Sequence, residues 1–316
     1  MAGDTWNPHQ RSEGDRKIMS AEIISGKEIA QTIRGETAAR VAALKEAHDF
    51  VPGLATVLVG EDPASHSYVG MKNKAAKEMG IYSRQITLDA ETPEAELLGL
   101  VEGLNADPGI HGILVQLPLP KHMDESKILL AIDPAKDVDG FHPVNVGKLS
   151  TGETDVLAPC TPAGIVQMLV RTGNDPSGKH CVVVGRSNIV GRPMASLLLR
   201  KAPGGNATVT VCHSRTPDLG AMTRLADILI VAIGWPETVK ADMVKPGAVV
   251  IDVGTNRVDD DTRERGWRLV GDVAFEEVKE VASAITPVPG GVGPMTITML
   301  MCNTVDAAVR LAGIQE

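Results

Sequence analysis

Seven short runs of aliphatic and β-branched residues, separated by stretches with helical periodicity, constrain the fold of this chain more than any other feature. They are LATVLV (54 to 59), YSRQIT (82 to 87), HGILVQ (111 to 116), HCVVVG (180 to 185), ATVTVC (207 to 212), ILIVAI (228 to 233) and AVVIDVG (248 to 254). Most are apolar throughout rather than alternating, which suits strands covered on both faces, and the intervening stretches are long enough for crossover helices. Helices are expected at 65 to 79, 93 to 105 and 124 to 132, from about Pro162, and from about Pro294 to Leu311. The turn-rich segment DPAKDVDGFHPVNVGKL (133 to 149) reads as a loop at a domain edge. The four runs after residue 180 have the cadence of a dinucleotide-binding half, so the fold class is α/β.

At 316 residues the chain is longer than an ordinary single domain, and two domains are expected. Its 31 basic and 40 acidic side chains leave a net charge of -9, with no basic cluster to track a phosphate backbone, so nucleic acid is not an expected partner. The apolar runs are strand-length, well short of the roughly 20 residues of a membrane span, and no transmembrane segment is expected. The polar, partly acidic segment 1 to 19 lacks the apolar core of a signal peptide and reads as a flexible tail. Four scattered cysteines, Cys160, Cys181, Cys212 and Cys302, form no C-x-x-C and suit buried thiols in a reducing cytoplasm. His180-Cys181 opens one strand and Cys212-His213 closes the next, so the two pairs fall at opposite edges of a parallel sheet. No metal site is expected.

The loop VVVGRSNIVGRP (182 to 193) runs from a buried strand through Gly185 toward a helix near Gly191, so backbone N-H groups could face a pyrophosphate. Its G-x-S-x-x-x-G spacing is a weak motif, compatible with a plain strand-turn-helix. Context adds weight. An NAD site usually carries a carboxylate at the end of the second strand for the ribose 2'-hydroxyl. Here that corner holds Ser214 and Arg215, with Arg186 after the first glycine, and the preferred cofactor is NADP. A solvated rim is the alternative for both arginines.

In SHSYVGMKNKAAKEMG (65 to 80), Tyr68 and Lys72 stand one helical turn apart and share a face. Spacing alone favours a solvated face, because Lys74 and Lys77 follow on the same helix. Six ordered motifs change that balance. S-x-x-Y-V-x-x-K (65 to 72), G-I-L-V-Q-L-P-L-P (112 to 120), K-D-V-D-G (136 to 140), P-C-T-P (159 to 162), V-V-G-R-S-x-I-V-G-x-P (183 to 193) and P-G-G-V-G-P-M-T (289 to 296) resemble the bifunctional methylenetetrahydrofolate dehydrogenase/methenyltetrahydrofolate cyclohydrolase family. The similarity runs from about residue 20 to the end.

The resemblance implies an N-terminal α/β substrate domain, a Rossmann-like doubly wound NADP-binding domain, and a reaction cleft between them. The substrate domain is expected over 20 to 160 plus 294 to 316, and the nucleotide domain over 161 to 293. A homodimer acting on one-carbon derivatives of tetrahydrofolate is also implied. Lys72 would be the catalytic lysine, held by Gln116; Tyr68 would stack on the folate; and Asp139 would bind the pterin. Leu117, Gly290, Gly291 and Pro294 would complete the substrate site, and Gly185, Arg186, Ser187, Ser214, Arg215, Ile233 and Gly234 the cofactor site. Hydride transfer from a one-carbon bridge needs alignment in a dry cleft, whereas hydrolysis of the methenyl carbon needs proton transfers. Lys72 can move those protons if its amine is partly deprotonated near neutral pH.

Two residues depart from the family pattern: Ile233 stands where threonine is frequent, and Trp235 follows. In short-chain dehydrogenases the Tyr-x-x-x-Lys pair lies downstream of the glycine loop, whereas here it precedes Gly185 by more than a hundred residues. A shikimate-type dehydrogenase shares the domain order but not the D-V-D-G and P-G-G-V-G-P-M-T segments. A catalytically dead folate or nucleotide binder would have no need of Lys72, Gln116 and Asp139 together.

Overall fold

The computed structural model describes residues 20 to 315; the tail expected over 1 to 19 lies outside the described residues. The described residues begin with β1 (Glu22–Ile23) and a helix α1 (Gly26–His48) that the sequence reading passed over. Its signals are plain in retrospect. Ser25 caps the N-terminus through Glu28 N-H at 3.3 Å, and Ala30, Ile33, Thr37, Val41 and Leu44 bury one face at helical spacing.

Next come β2 (Gly53–Val59), α2 (Pro63–Glu78), β3 (Tyr82–Leu88), α3 (Glu94–Ala106), β4 (Gly112–Val115) and α4 (Glu125–Ala131). They build a three-stranded parallel sheet in the order β3-β2-β4, in which Leu54 faces Ser83 on one side and Gly112 on the other. Every residue of β2 is buried, as its unbroken apolar run requires of a central parallel strand.

The segment expected to be a loop contains α5 (Pro143–Ser150), started by Pro143 in its first turn and by His142, whose Nδ1 accepts from Val144 N-H at 3.2 Å. The turn formers that suggested a loop are its cap.

The second series is α6 (Cys160–Arg171), β5 (His180–Val184), α7 (Gly191–Leu199), β6 (Thr208–Cys212), α8 (Leu219–Thr223), β7 (Ile228–Val231) and β8 (Val249–Asp252). A hairpin of β9 (Asn256–Asp259) and β10 (Trp267–Val270), then α9 (Phe275–Val278), β11 (Ala284–Ile285) and α10 (Val292–Ala312) complete the chain. The large sheet is parallel throughout, in the order β1-β11-β8-β7-β5-β6. The connections diverge on either side of β5, and that is where a doubly wound sheet opens its ligand crevice.

β1 falls within the span expected for the substrate domain, yet Glu22 and Ile23 pair with Ala284 and Ile285 in the large sheet. A two-residue strand leaves no periodicity to read in the sequence. α10 begins two residues before Pro294, which sits in its first turn.

The expectation about apolar runs also needs amending. By length and composition α10 could cross a membrane, yet 67% of its apolar window is buried inside the fold, where it packs on α1, α2 and α6. It is a core helix.

Candidate active site

Helix α2 carries Lys72 and is fixed at both ends. Asp62 caps its start through Ser65 N-H at 2.8 Å, and Pro63 opens it. Near its end the buried Asn73 accepts from Ser83 Oγ at 2.8 Å and Thr56 Oγ1 at 3.4 Å, and donates to Gln85 Oε1 at 2.5 Å. These bonds tie the helix to β2 and β3 and set its rotation. Lys72 is 9% exposed and Tyr68, one turn earlier, 45%. Lys72 Nζ donates to Gln116 Oε1 at 3.0 Å, while Gln116 Nε2 donates to the carbonyl of its neighbour Leu117 at 2.7 Å. That second bond points the amide oxygen at the lysine. The Leu117-Pro118 peptide is cis.

The two aspartates of D-V-D-G do different jobs. Asp137 is buried and accepts from His142 N-H at 2.8 Å and Asn145 Nδ2 at 2.9 Å, holding the start of α5. Asp139 lies within electrostatic reach of Lys72. Burial pushes its carboxyl above the ordinary value, the Lys72 ammonium pulls it back down, Asp137 raises it further, and the Cys160 thiol lowers it. Cys160 Sγ contacts Asp139 Oδ1 at 3.9 Å and donates to Val138 O at 3.3 Å; burial and the neighbouring Asp139 push this thiol well above its usual range. Cys160 was absent from the sequence-predicted site, although it stands in the P-C-T-P motif. The segment is held against D-V-D-G at Gly140, whose φ is 73° and where a Cβ would lie 2.6 Å from Pro159 N.

A cavity of about 510 Å³ opens between α2 and the end of β8. Tyr68 and Met71 form one wall, Asp252 and Val253 another, and Gly290, Gly291 and Pro294 a third. Lys72, Gln116 and Asp139 are not among its walls. Lys72 is turned about 100° from Met71 around the helix, toward the sheet.

At the C-terminal edge of the large sheet, β5 runs into Gly185, which has φ 123°. Gly185 N-H bonds Cys212 O at 2.9 Å, so the loops holding Arg186 and His213 to Thr216 leave adjacent strand ends. Arg186, Ser187, Ser214 and Arg215 are exposed. Ser187 Oγ accepts from Val190 and Gly191 N-H at 3.1 and 3.4 Å, closing the turn that leads into α7. The glycine turn, the helix start and a carboxylate-free corner bearing two arginines fit a dinucleotide with a 2'-phosphate. Ile233 and Gly234 follow β7 beside this loop, and Trp235 projects 69% exposed.

Beneath them lie two buried carboxylates that sequence reading missed. Asp252 accepts from the backbone N-H groups of Gly254, Asp272 and Val273 at 3.0, 2.9 and 3.0 Å. Burial pushes its carboxyl up to about 7, against the pull of those bonds and with help from Asp272. Asp272 accepts from Ile233 N-H, Gly234 N-H and Asn256 Nδ2 at 2.7, 3.0 and 2.9 Å.

His180 pairs with Thr208 and Val184 with Cys212, so the two Cys-His pairs sit at opposite edges of the sheet. Among the described residues no three His, Cys, Asp or Glu side chains gather as a metal site. All four cysteines are free thiols.

A parallel-sheet nucleotide unit, joined to a smaller α/β unit that holds a lysine-glutamine pair, defines the class: a two-unit, dinucleotide-dependent enzyme. Two family models match it in succession, the "Tetrahydrofolate dehydrogenase/cyclohydrolase, catalytic domain" over residues 24–139 and the "Tetrahydrofolate dehydrogenase/cyclohydrolase, NAD(P)-binding domain" over residues 159–312. The chain belongs to the tetrahydrofolate dehydrogenase/cyclohydrolase family. It is 60% identical over 289 residues to "Bifunctional protein FolD" of Syntrophobacter fumaroxidans, covering 92% of this chain and 97% of that one. Among solved structures it is similar to the bifunctional FolD enzyme of Campylobacter jejuni, at 48% identity and a TM-score of 0.86 over 92% of this chain and 99% of that one. It is also similar to the Trypanosoma brucei dehydrogenase-cyclohydrolase complexed with NADP and an inhibitor, at 41% identity and a TM-score of 0.86 over 92% and 98% of the two chains.

Proposed function

We infer that the chain carries out both reactions of its family, oxidising 5,10-methylenetetrahydrofolate with NADP and hydrolysing the resulting methenyl compound to 10-formyltetrahydrofolate. The observation that carries this reading is the 3.0 Å bond from Lys72 Nζ to Gln116 Oε1 in a wall where the lysine is 9% exposed. A solvated surface lysine, the alternative left open by spacing, has no reason to be held there.

Bound NADP supplies the hydride acceptor for the first reaction. Arg186, Ser214 and Arg215 hold its 2'-phosphate, and the Gly185 turn and the start of α7 receive the pyrophosphate. Tyr68 stacks on the aromatic part of the folate, Asp139 binds the pterin, and Leu117, Gly290, Gly291 and Pro294 close the substrate site. These contacts align the one-carbon bridge and exclude water. In the second reaction water adds to the methenyl carbon and gives up both of its protons as the formyl C=O forms and the ring C-N bond breaks; the departing nitrogen takes one proton and the other is released. Lys72 Nζ moves those protons, and Gln116, a neutral acceptor, orients it without adding charge.

The working division is residues 20 to 160 plus 294 to 316 for folate, apart from β1, and 161 to 293 for the nucleotide. We extend the reading to a homodimer in the cytoplasm, as the family resemblance implies; light scattering of the purified chain reads the first.

Following NADPH and the methenyl compound by absorbance in one cuvette, starting from methylenetetrahydrofolate, tests the function. Both signals rise and the methenyl signal then decays. A chain that produces neither is a binder, not this enzyme.

A further inference from the structure

We propose that Asp272 is a positioning residue for the cofactor, acting through the backbone of Ile233 and Gly234; this rests on the reading above that the large sheet binds NADP. The strand order places β7 beside β5 at the point where the sheet's connections diverge, so the loop leaving β7 forms one wall of the crevice. The two loops also touch. Ala232 N-H bonds Val184 O at 2.8 Å, and a Cβ on Gly185 would run into the carbonyl of Ala232. Any shift of the β7 loop therefore shifts the glycine turn that receives the pyrophosphate.

What holds that loop is one buried carboxylate oxygen. Asp272 Oδ2 takes the consecutive N-H groups of Ile233 and Gly234, Oδ1 takes Asn256 Nδ2, and Asp272's own N-H donates to Asp252. The side chain thus binds the exit of β7 and the start of β9, and the residue's own N-H ties it to the end of β8. Asp272 is fully buried, and among the described residues none of the ion pairs involves it. An anion in that position is costly to bury, and an amide could accept the two backbone bonds at lower cost. The charge gives bonds about twice as strong as neutral ones, and so a stiffer loop.

The test uses purified full-length Asp272→Ala and, as a variant that keeps an acceptor, Asp272→Asn. NADP binding is measured by titration calorimetry, and cofactor-free hydrolysis of methenyltetrahydrofolate by absorbance. In Asp272→Ala the Kd for NADP rises about 10- to 150-fold, the worth of one charge-assisted hydrogen bond. In Asp272→Asn it rises roughly 3- to 10-fold, because the amide oxygen keeps the two backbone bonds while the charge and the acceptor for Asn256 Nδ2 are lost. Hydrolysis, which consumes water and not cofactor, stays within about twofold in Asp272→Asn. An unchanged Kd in both variants, or in Asp272→Asn alone should the alanine variant not fold, overturns the proposal. Loss of hydrolysis in step with NADP binding overturns it as well, since that marks a merely structural residue. A wild-type chain that does not bind NADP overturns the reading on which the proposal rests.

Discussion

The wall that carries Lys72 and the edge that carries Arg215 are built on opposite plans. In the first, each polar group already has its partner inside the protein: Lys72 has Gln116, Gln116 has the carbonyl of Leu117, and Cys160 has Asp139 and the carbonyl of Val138. In the second, Arg186, Ser214 and Arg215 are exposed, and the neighbouring loop of Ile233 and Gly234 is held from below by Asp272, itself bonded to Asp252. A pre-bonded wall suits chemistry that must hold a proton at a fixed atom. An exposed rim over a stiff base suits a charged ligand that arrives from water and completes the site itself.

The largest expected effect tests the first plan. In Lys72→Met the rate of methenyltetrahydrofolate hydrolysis at saturating substrate falls by about 10² to 10⁴, the usual weight of general acid-base catalysis, while folate affinity persists. A rate within twofold of wild type would make the buried lysine a packing residue and remove the contrast between the two regions.

The base of the second region is examined through the stability of Asp252→Asn. The folded carboxyl sits at about 7 against an ordinary value of 3.8, because burial disfavours the anion. The sign follows. The folded state keeps the proton that the unfolded state has given up, so this group's stabilising contribution is complete below about pH 4 and is lost as the pH rises through about 7. The full window is on the order of 4 kcal/mol, and more than half of it falls between about pH 5 and pH 8. Asparagine does not titrate, so its stability deficit relative to wild type shrinks across that interval. Urea unfolding of both proteins at the two pH values measures the change, and a constant deficit would mean that Asp252 is already charged in the fold.

The two regions also differ in how far the sequence disclosed them. The Lys72-Gln116 pairing was legible because its residues lie in compact ordered motifs, and the parallel strands because buried runs are uninterrupted. Cys160 shared a motif but read as an apolar thiol, and nothing local marked it as the neighbour of Asp139. Asp252 and Asp272 were hidden for a different reason: most of their partners are backbone N-H groups of loops distant in the chain, so their purpose exists only after the sheet has formed. The same holds for β1, whose two residues are defined by pairing with β11. Helix α5 was missed because Pro143 and His142, read as loop formers, are its start and cap.

Cofactor choice sharpens the comparison at the exposed edge. If Arg215 holds the 2'-phosphate, its removal costs one charged hydrogen bond, about 1.5 to 3 kcal/mol, and erodes the preference for NADP over NAD by roughly 10- to 150-fold. Titration of Arg215→Ala with both cofactors should show NADP weakened and NAD nearly unchanged. Equal loss of both would place the phosphate elsewhere on the rim.

The smallest effect belongs to Tyr68, which stands where the two plans meet. It is rooted on α2 one turn before Lys72, yet it is 45% exposed and lines the cavity with the glycine loop at 290 and 291. In the proposed role of a stacking surface it would serve both reactions. An aromatic pair is worth about 0.5 to 1.5 kcal/mol beyond its buried area, so Tyr68→Ala should weaken folate by roughly 2- to 12-fold and slow dehydrogenation and hydrolysis together. That is a different pattern from Lys72→Met, which strikes hydrolysis hardest, and from Arg215→Ala, which strikes cofactor selection alone. The distinguishing measurement is the KM for methylenetetrahydrofolate and for methenyltetrahydrofolate in the same Tyr68→Ala preparation. Parallel increases place the ring on the shared part of the substrate, whereas an increase in only one assigns the tyrosine to one region and dissolves its position between them.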